Sequence, residues 1–259
     1  MLGKSLLVAL SVAGLLIAGC ESAKKQSTSE KKEVHGMKWG YKGEIGPDRW
    51  GDLSPEFKLC KTGKAQSPID IRETKKGKLP QIEFHYADTK LNVVNNGHTI
   101  QVNYEPGSYI LYEGKKCELL QFHFHTPSEH LFSGQAFPME VHLVHKCEDG
   151  NLLVIGVMMD EGAEHELIKK IWEVMPSQEG EVTKEEVKIN AMDLLPASRG
   201  YYTYSGSLTT PPCTEGVKWI VMKEKIEVSK DQINRFKSLY DMNARPVQPL
   251  NDRVVMESE

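Results

Sequence analysis

The fold of this chain is decided by one short stretch of sequence, Leu119-Leu120-Gln121-Phe122-His123-Phe124-His125. Successive side chains of a β-strand point to opposite faces of a sheet, so polar and apolar residues that alternate indicate a half-buried strand. The polar face carries Gln121, His123 and His125. The apolar face carries Leu120, Phe122 and Phe124. We predict a strand with an aromatic core on one side and a polar site on the other.

Further strands are indicated by short apolar and β-branched runs that turn residues separate. They lie at residues 82–85, 91–94, 99–103, 109–112, 117–125, 140–147, 152–158 and 218–228. The run 152–158 is apolar throughout, as expected of a strand covered on both faces. Helical spacing occurs only at 163–174 and from a cap at Ser229 to about residue 240. We therefore predict a mostly β (α+β) fold, with a large, mainly antiparallel twisted central sheet and a few peripheral helices.

The composition is that of a soluble protein with a sizeable core. Of the 259 residues, 39% are hydrophobic and 26% are charged. The formal net charge is -4, and no basic cluster alternates with aromatic residues, so the sequence gives no sign of nucleic-acid binding. No linker, repeat or shift in composition interrupts the chain from residue 37 onward. We predict a single domain over residues 37–259.

The first twenty residues have the pattern of an export signal, with Lys4 followed by an apolar run over 6–17 and small residues before Cys20. The run is too short for an ordinary membrane-spanning helix. Residues 17–20 resemble a bacterial lipoprotein box, which predicts a lipid on Cys20; simple secretion and an uncleaved anchor are the alternatives. Residues 21–36 are mostly Ser, Lys and Glu and predict a flexible tether. We expect a periplasmic or cell-surface domain that only its N-terminal lipid attaches to a bacterial membrane.

His123 and His125 can share a metal ion, because side chains at i and i+2 on a strand lie on the same face, roughly 6 to 7 Å apart at their bases. A second strand over residues 139–145 places Glu140 and His142 on one face, and the short connection 128–138 allows it to pair antiparallel with the first. His142 then supplies a third donor. Three neutral imidazoles with a position left for water are typical of a catalytic zinc site rather than a closed structural one.

Most histidines in proteins bind no metal, and we interpret the following ones as surface or core residues: His35, His85, His130, His145 and His165. The candidate ligands differ in their neighbours. Gln121 precedes His123 by two residues, and Glu140 precedes His142 by two. On a strand each pair shares a face, so each polar group can accept the outer N–H of the imidazole and fix its tautomer.

These residues lie within a set of motifs spread over the whole domain. In chain order they are Trp39-Gly40-Tyr41, Gln66-Ser67-Pro68-Ile69-Asp70, Asn96-Gly97-His98, Gln121-Phe122-His123-Phe124-His125, Ser128-Glu129-His130, Glu140-Val141-His142-Leu143-Val144-His145, Gly206-Ser207-Leu208-Thr209-Thr210-Pro211-Pro212 and Asn243-Ala244-Arg245-Pro246-Val247-Gln248-Pro249-Leu250. The chain thereby resembles the alpha carbonic anhydrases, in particular exported bacterial members. The resemblance implies a zinc enzyme that converts carbon dioxide and water reversibly to bicarbonate and a proton, with His123, His125 and His142 as the ligands.

The resemblance also assigns roles around the metal. Thr209 corresponds to a gatekeeper whose hydroxyl donates to Glu129 and therefore accepts from the attacking hydroxide held at the zinc. His98 corresponds to a proton shuttle, a task that suits an imidazole near neutral pH. Asn243 joins Gln121 and Glu140 as a residue that supports the ligands. The substrate-binding positions implied are Val144, Val154, Leu208, Thr209, Thr210 and Trp219.

Four cysteines remain besides Cys20, and export would expose them to oxidation. Cys60 and Cys213 resemble the paired cysteines of secreted family members, a bridge worth roughly 4 to 5 kcal/mol in the chain-entropy model. Strict alternation places Cys117 on the histidine face and Cys147 on the other, so a bridge between them requires a bulge. We therefore expect Cys117 and Cys147 to be free thiols.

A different class of function is a non-catalytic binding domain of the same fold. Such a domain is expected to lack one or more ligands, whereas this chain has all three histidines together with Glu129, Thr209 and His98. A general zinc hydrolase is the third hypothesis, and the narrow apolar pocket argues against it. The resemblance to bacterial members further predicts a homodimer.

Overall fold

The alternating stretch lies in an eleven-residue strand, β7, near the middle of a large sheet. The computed structural model describes residues 38–259, so the predictions for the export signal, Cys20, the tether and His35 lie outside the described residues. The strands are β1 (Asp70–Ile71), β2 (Lys75–Gly77), β3 (Glu83–His85), β4 (Thr89–Asn95), β5 (Ile100–Asn103), β6 (Tyr109–Tyr112), β7 (Lys115–His125), β8 (Leu131–Phe132), β9 (Met139–Cys147), β10 (Leu152–Glu161), β11 (Gly180–Ile189), β12 (Tyr201–Ser207), β13 (Glu215–Met222), β14 (Ile226–Val228) and β15 (Met256–Ser258). The helices are α1 (Trp50–Leu53), α2 (Leu59–Thr62), α3 (Glu166–Val174) and α4 (Lys230–Lys237), with 3-10 turns at Gly43–Ile45, Pro47–Arg49, Pro55–Phe57 and Ala191–Leu194.

Within residues 38–259, thirteen strands form one sheet whose main path runs β11-β4-β5-β7-β9-β10-β13-β12-β15-β2. Three strands join beside this path: β6 pairs with β7, β3 with β6, and β14 with β10. The neighbours in this sheet are antiparallel except for β10 with β13, β10 with β14, and β2 with β15. The predicted fold class is therefore confirmed. None of the described helices has the length and apolarity needed to cross a membrane.

The central sheet separates two apolar clusters. The larger cluster covers the face that carries Phe122, Phe124 and Leu143, together with the buried residues of α3 and α4. The smaller cluster lies on the other face and contains Val144, Val154, Trp219 and their neighbours. Because both faces are covered, β10 is apolar along most of its length, as the run 152–158 predicts. The histidine face therefore adjoins a second, smaller core.

Both long helices lie where the apolar spacing predicts them. The α3 helix buries the apolar residues of the predicted segment, Leu167, Ile168, Ile171 and Trp172. The α4 helix begins after Ser229, whose hydroxyl accepts from the backbone N–H of Gln232 while the Gln232 side chain accepts from the backbone N–H of Ser229. This capping box satisfies two amides that the helix itself cannot pair.

Several strand predictions need correction. The predicted strand 218–228 is interrupted after Met222 and is divided between β13 and β14. The strand β11 has no counterpart in the prediction, because its sequence GEVTKEEVKI is mostly charged. It pairs with β4 alone, at the end of the main path, where exposed charged residues are usual.

The prediction that Leu120 shares a face with Phe122 and Phe124 is wrong. The ladder between β7 and β9 pairs Leu119 with His145 and then Gln121 with Val144, so Leu120 is an extra residue in a β-bulge. Leu119 is buried (1% exposed), whereas Leu120 is 40% exposed. A bulge inserts one residue without a partner and exchanges the faces beyond it.

The same bulge overturns the expectation that Cys117 and Cys147 are free. They lie directly opposite each other on β7 and β9 and form a disulfide. Strict alternation from His123 back to Cys117 is broken by the extra residue, so Cys117 lies on the core face with Cys147. The structure also joins Cys60 to Cys213, the pair that the resemblance implies.

Candidate metal centre

Three histidines converge on the face of β7 and β9 opposite the aromatic core. His123 lies directly across from His142, and His125 lies two residues further along β7, on the same face. One ring nitrogen from each histidine lies within 4.8 Å of the others. His125 and His142 are each 1% exposed, and His123 is partly exposed. The sheet register thus brings together the three residues predicted as ligands.

Each of these histidines uses one ring nitrogen for a hydrogen bond to the protein. Nδ1 of His123 pairs with Oε1 of Gln121, and Nε2 of His142 pairs with Oε1 of Glu140, each at 2.8 Å. Nδ1 of His125 pairs with the backbone carbonyl of Asn243, also at 2.8 Å. The nitrogens not used in these bonds are Nε2 of His123, Nδ1 of His142 and Nε2 of His125. An acceptor on one nitrogen fixes the tautomer that leaves the other as a lone-pair donor.

The donor set fits a zinc ion. Nε2 of His125 is buried and has no hydrogen-bond partner within the described residues, which is costly unless another group occupies that position. Burial lowers the pKa of His125 to about 4 and lowers the pKa values of His123 and His142 as well. The imidazoles are therefore neutral at pH 7, the protonation state that binds a metal. Three neutral imidazoles are a donor set that zinc prefers.

The carboxylate of Glu140 connects the ligand His142 to a buried chain of polar groups. It accepts from the backbone amides of Glu129 and His130 at 2.8 and 2.9 Å, and from Nδ1 of His130 at 2.8 Å. Nε2 of His130 in turn pairs with the hydroxyl of Tyr204 at 2.7 Å. Both ring nitrogens of His130 are thus occupied, so His130 supports the site rather than binding a metal itself.

His130 and Tyr204 are support residues that sequence reasoning missed. His130 follows Glu129 in a recognised motif, yet nothing local shows that its ring reaches a carboxylate ten residues away. The close approach of Glu140 also depends on Gly156 of β10, which pairs with His142. A Cβ atom on Gly156 would lie 2.8 Å from Oε1 of Glu140, which is closer than real contacts allow. The glycine in an otherwise apolar strand is the sequence signal for that approach.

Glu129 lies beside the ligands and is completely enclosed. Its Oε1 accepts from the backbone amide of Arg245 at 2.8 Å and lies 3.5 Å from Nδ1 of His125. Burial raises the pKa of Glu129 to about 7, while His142, the Arg245 amide and the Thr209 hydroxyl each oppose that rise. Oε2 has no hydrogen bond of ordinary geometry within the described residues. The Thr209 hydroxyl lies close enough to the Glu129 carboxylate to act on its pKa.

Arg245 is a buried cation that sequence reasoning did not single out. Its guanidinium donates to the side chain of Gln66 and to the carbonyls of Ser67 and Cys60, at 2.8 to 3.0 Å. Burial lowers the pKa of Arg245 to about 10. These bonds fix the backbone amide that holds Glu129, and they link the Cys60–Cys213 disulfide to the site.

Four of the six residues predicted for substrate binding belong to the smaller apolar cluster or pack against it. Val144 pairs across the sheet with Val154, and Val154 pairs with Trp219. Leu208 packs against this cluster from the loop that carries Thr209. That loop is held by a bond from the Leu208 amide to the Thr214 carbonyl and is closed by the disulfide at Cys213. Thr209 is buried, and Thr210 beside it is partly exposed.

His98 lies on the turn between β4 and β5, half-buried, with its ring stacked on Trp39 at a centroid distance of 3.7 Å. The turn requires Gly97, whose φ is +82°. Burial lowers the pKa of His98, and the nearby Glu179 carboxylate opposes that change. Nδ2 of Asn243 donates to the His98 carbonyl at 3.0 Å, while the Asn243 carbonyl holds His125. Asn243 therefore ties the turn with His98 to a candidate ligand.

Fold and site together define a β-sheet protein in which three histidines that could hold a metal ion lie beside a buried apolar cluster. A family model for eukaryotic-type carbonic anhydrases matches residues 45–259. A carbonic anhydrase of Nostoc sp. is 44% identical, covering 97% of this chain and 95% of the relative. One from Neisseria gonorrhoeae is 48% identical, covering 85% and 87%. The chain belongs to the alpha carbonic anhydrase family, and the predicted resemblance and enzyme class are confirmed.

A solved structure supports the same assignment. It is the alpha-carbonic anhydrase of Thermovibrio ammonificans in complex with the inhibitor sulfanilamide. The two chains superpose with a TM-score of 0.82 at 48% sequence identity, covering 85% of this chain and 99% of the other. The two proteins are therefore similar in sequence as well as in fold.

Proposed function

We propose that this protein catalyses the reversible hydration of carbon dioxide with one zinc ion held by His123, His125 and His142. The observation that carries the proposal is the convergence of three neutral imidazole nitrogens within 4.8 Å, one of them buried without a partner. Bound there, zinc would act as a Lewis acid and lower the pKa of a water ligand to about 7, as it does in carbonic anhydrases generally.

Thr209 and Glu129 orient the attacking oxygen. Glu129 is fixed by the Arg245 amide, and the Thr209 hydroxyl lies close enough to lower the pKa of its carboxyl group. A hydroxyl has one proton to donate, so a Thr209 that donates to Glu129 can only accept from the attacking oxygen. An oxygen nucleophile that the metal would supply is thereby oriented toward the substrate, and the backbone N–H of Thr209 is available for a substrate or bicarbonate oxygen.

The apolar pocket binds carbon dioxide. The substrate has no charge and no hydrogen to donate, so an apolar surface from which water is excluded suits its binding. Val144, Val154 and Trp219 form that surface from three neighbouring strands, with Leu208 at its edge. Thr210 lies beside this edge and is partly exposed, which suits contact with the more polar bicarbonate.

His98 returns the proton to solvent after each turnover. Its ring is half-buried on a turn, between the interior and the surface, and its hydrogen bonds within the described residues involve only its backbone. Both ring nitrogens are therefore available to accept and release a proton. An imidazole titrates nearer neutral pH than other side chains, which suits this role.

The deciding experiment measures zinc content and carbon dioxide hydration on the same purified protein. We expect one zinc per chain, loss of hydration when a chelator removes it, and recovery when zinc is returned. A zinc-loaded protein without hydration activity would favour the non-catalytic binding domain. A protein that retains full hydration without metal would contradict the proposed site.

We also propose that the domain is exported and attached to a bacterial membrane by a lipid on Cys20, with residues 21–36 as its tether. Two disulfides in the described domain support an oxidising compartment. Incorporation of a labelled fatty acid in a bacterial host, lost in Cys20→Ser, tests the anchor. The homodimer rests on the resemblance to bacterial members, and light scattering of the purified domain tests it.

A further inference from the structure

The disulfide Cys117–Cys147 closes a short loop of the chain that carries the candidate metal ligands. Its cysteines are 30 residues apart, near one end of β7 and at the end of β9, and the loop between them contains all three candidate ligands. Gln121, Glu129 and Glu140 also lie within that loop. The other disulfide joins residues 153 apart, and neither of its cysteines belongs to β7 or β9. Only the first pair is built into the strands that hold the histidines.

Between this disulfide and the ligands lies the bulge at Leu120. From Cys117 to Leu119 the ladder follows one register with β9, and from Gln121 to His125 it follows another, offset by one residue. The partner on the other side of β7 also changes here, from β6 to β5. The bulge therefore fixes the register of residues 121–125, which carry two candidate ligands, relative to residues 115–119 of the same strand.

The two adjacent leucines, Leu119 and Leu120, do not by themselves determine where the bulge lies. If residues 115–119 moved by one position, Leu120 would face the core opposite His145 and Leu119 would be exposed. Both residues are leucine, so burial of one replaces burial of the other. The shift would also turn Lys116 and Glu118, which are exposed and intermediate, toward the core, and burying a charged side chain is costly. The same shift would place Glu118 opposite Cys147 and turn Cys117 to the other face. The disulfide adds a covalent barrier to that arrangement, beside the cost of burying the two charged side chains.

The bulge adjoins Gln121, the acceptor that fixes the tautomer of His123. We propose that the Cys117–Cys147 disulfide is a positioning element of the metal centre: by holding the bulge at Leu120, it keeps Gln121 aimed at His123. The three nitrogens then stay assembled when no metal is bound. The proposal rests on the three-histidine site of the proposed function and concerns the cysteines that position it.

The test compares two double variants, Cys117→Ala with Cys147→Ala and, as the matched control, Cys60→Ala with Cys213→Ala. Zinc affinity of each folded, metal-free protein is measured by competition with a chelator. We expect the zinc dissociation constant to rise about tenfold in the first variant, the lower range for disturbing a group that supports a ligand. We expect it to remain within about twofold of wild type in the control, because Arg245 binds the backbone carbonyl of Cys60, which alanine retains, and neither cysteine lies in a ligand strand.

A second measurement separates positioning from general stabilisation. Nitrogen-15 NMR of metal-free protein reports the Nδ1–H proton of His123, which Gln121 protects from exchange. We expect this signal to broaden or vanish without the Cys117–Cys147 bridge and to persist in the control. Should the first variant fail to fold, the bridge is instead reduced in the folded, metal-free control variant. Loss of the signal on reduction then supports the proposal, and its persistence contradicts it.

Unchanged zinc affinity and an intact His123 signal without the bridge would overturn the proposal, and the disulfide would then be a simple cross-link. That outcome differs from failure of the proposed function. If the three-histidine site is wrong, wild-type protein itself binds no stoichiometric zinc. Both cysteines line a surface cavity of about 330 Å³ but are only 1% and 8% exposed, so a count of free thiols verifies their reduction by a phosphine before the signal is read.

Discussion

His142 and His145 lie three residues apart on β9, and both are buried, yet their rings differ in how many nitrogens are hydrogen-bonded. Nε2 of His145 pairs with the hydroxyl of Tyr86 at 2.6 Å, and its Nδ1 pairs with the Leu153 carbonyl at 3.3 Å. His142 uses only Nε2, on Glu140, and leaves Nδ1 toward the other two ligands. Residue type and burial are the same in both cases. The difference that matters is one ring nitrogen of His142 that has no hydrogen-bond partner among residues 38–259.

The largest effect expected from this difference concerns metal binding. His142→Ala leaves two donors, and we expect zinc affinity to fall by more than about 100-fold, beyond the range for losing an outer partner. The sheet core should keep the fold intact. His145→Gln is the matched control on the same strand and should retain stoichiometric zinc. Metal content and chelator competition on both proteins check this, and a zinc-loaded His142→Ala protein would remove His142 from the ligand set.

A second prediction concerns the pH dependence of stability. Burial lowers the pKa of His145 from 6.5 to about 4, so the folded state binds its proton less tightly than the unfolded state. Its contribution to stability is therefore complete above pH 6.5 and is lost as the pH falls toward 4. For one group this amounts to roughly 3 kcal/mol.

Urea unfolding of metal-free protein at several pH values measures that contribution. We expect a smaller decline between pH 6.5 and 4 in His145→Gln than in wild type. The exposed His85, changed to Gln, is the control and should leave the decline as it is. If the wild-type and His145→Gln curves were parallel over this window, His145 would not be neutral in the folded state.

The third prediction separates groups that hold the metal from those that orient the reaction. Thr209→Ala should lower carbon dioxide hydration by about 100-fold, the scale of losing one positioned hydrogen bond, because the hydroxide is no longer oriented. Zinc content should stay at one per chain, since Thr209 is not a ligand. Stopped-flow hydration with metal analysis tests both statements. Wild-type turnover in this variant would mean that another group orients the hydroxide.

The smallest effect concerns His98, a histidine that is neither a ligand nor enclosed. His98→Ala should lower the maximal hydration rate in dilute buffer on the order of 10-fold, less than the roughly 100-fold expected of direct acid–base catalysis, because solvent and buffer also carry protons. Imidazole-type buffers should restore the rate. Exchange between carbon dioxide and bicarbonate at equilibrium should hardly change. Wild-type turnover at low buffer concentration in this variant would exclude His98 as the shuttle.

Sequence reasoning succeeded where local pattern and side-chain chemistry agree. The alternation over residues 121–125, with Gln121 and Glu140 two residues before a histidine, predicts hydrogen bonds that the structure contains. It failed at the edge strand β11, whose charged sequence hides its pairing with β4. It also failed at Cys117 and Cys147, because one inserted residue reverses every later position along a strand.

The sequence by itself determined the mostly β class, the ligand face of β7 and the residue types that a zinc site requires. These depend on the two-residue period of a strand and on the chemistry of imidazole, both of which are local. Only the tertiary structure decided which histidine nitrogens stay unpaired, where the bulge lies and which cysteines meet. Those outcomes depend on contacts between residues far apart in the chain, such as Asn243 with His125. No local pattern encodes them.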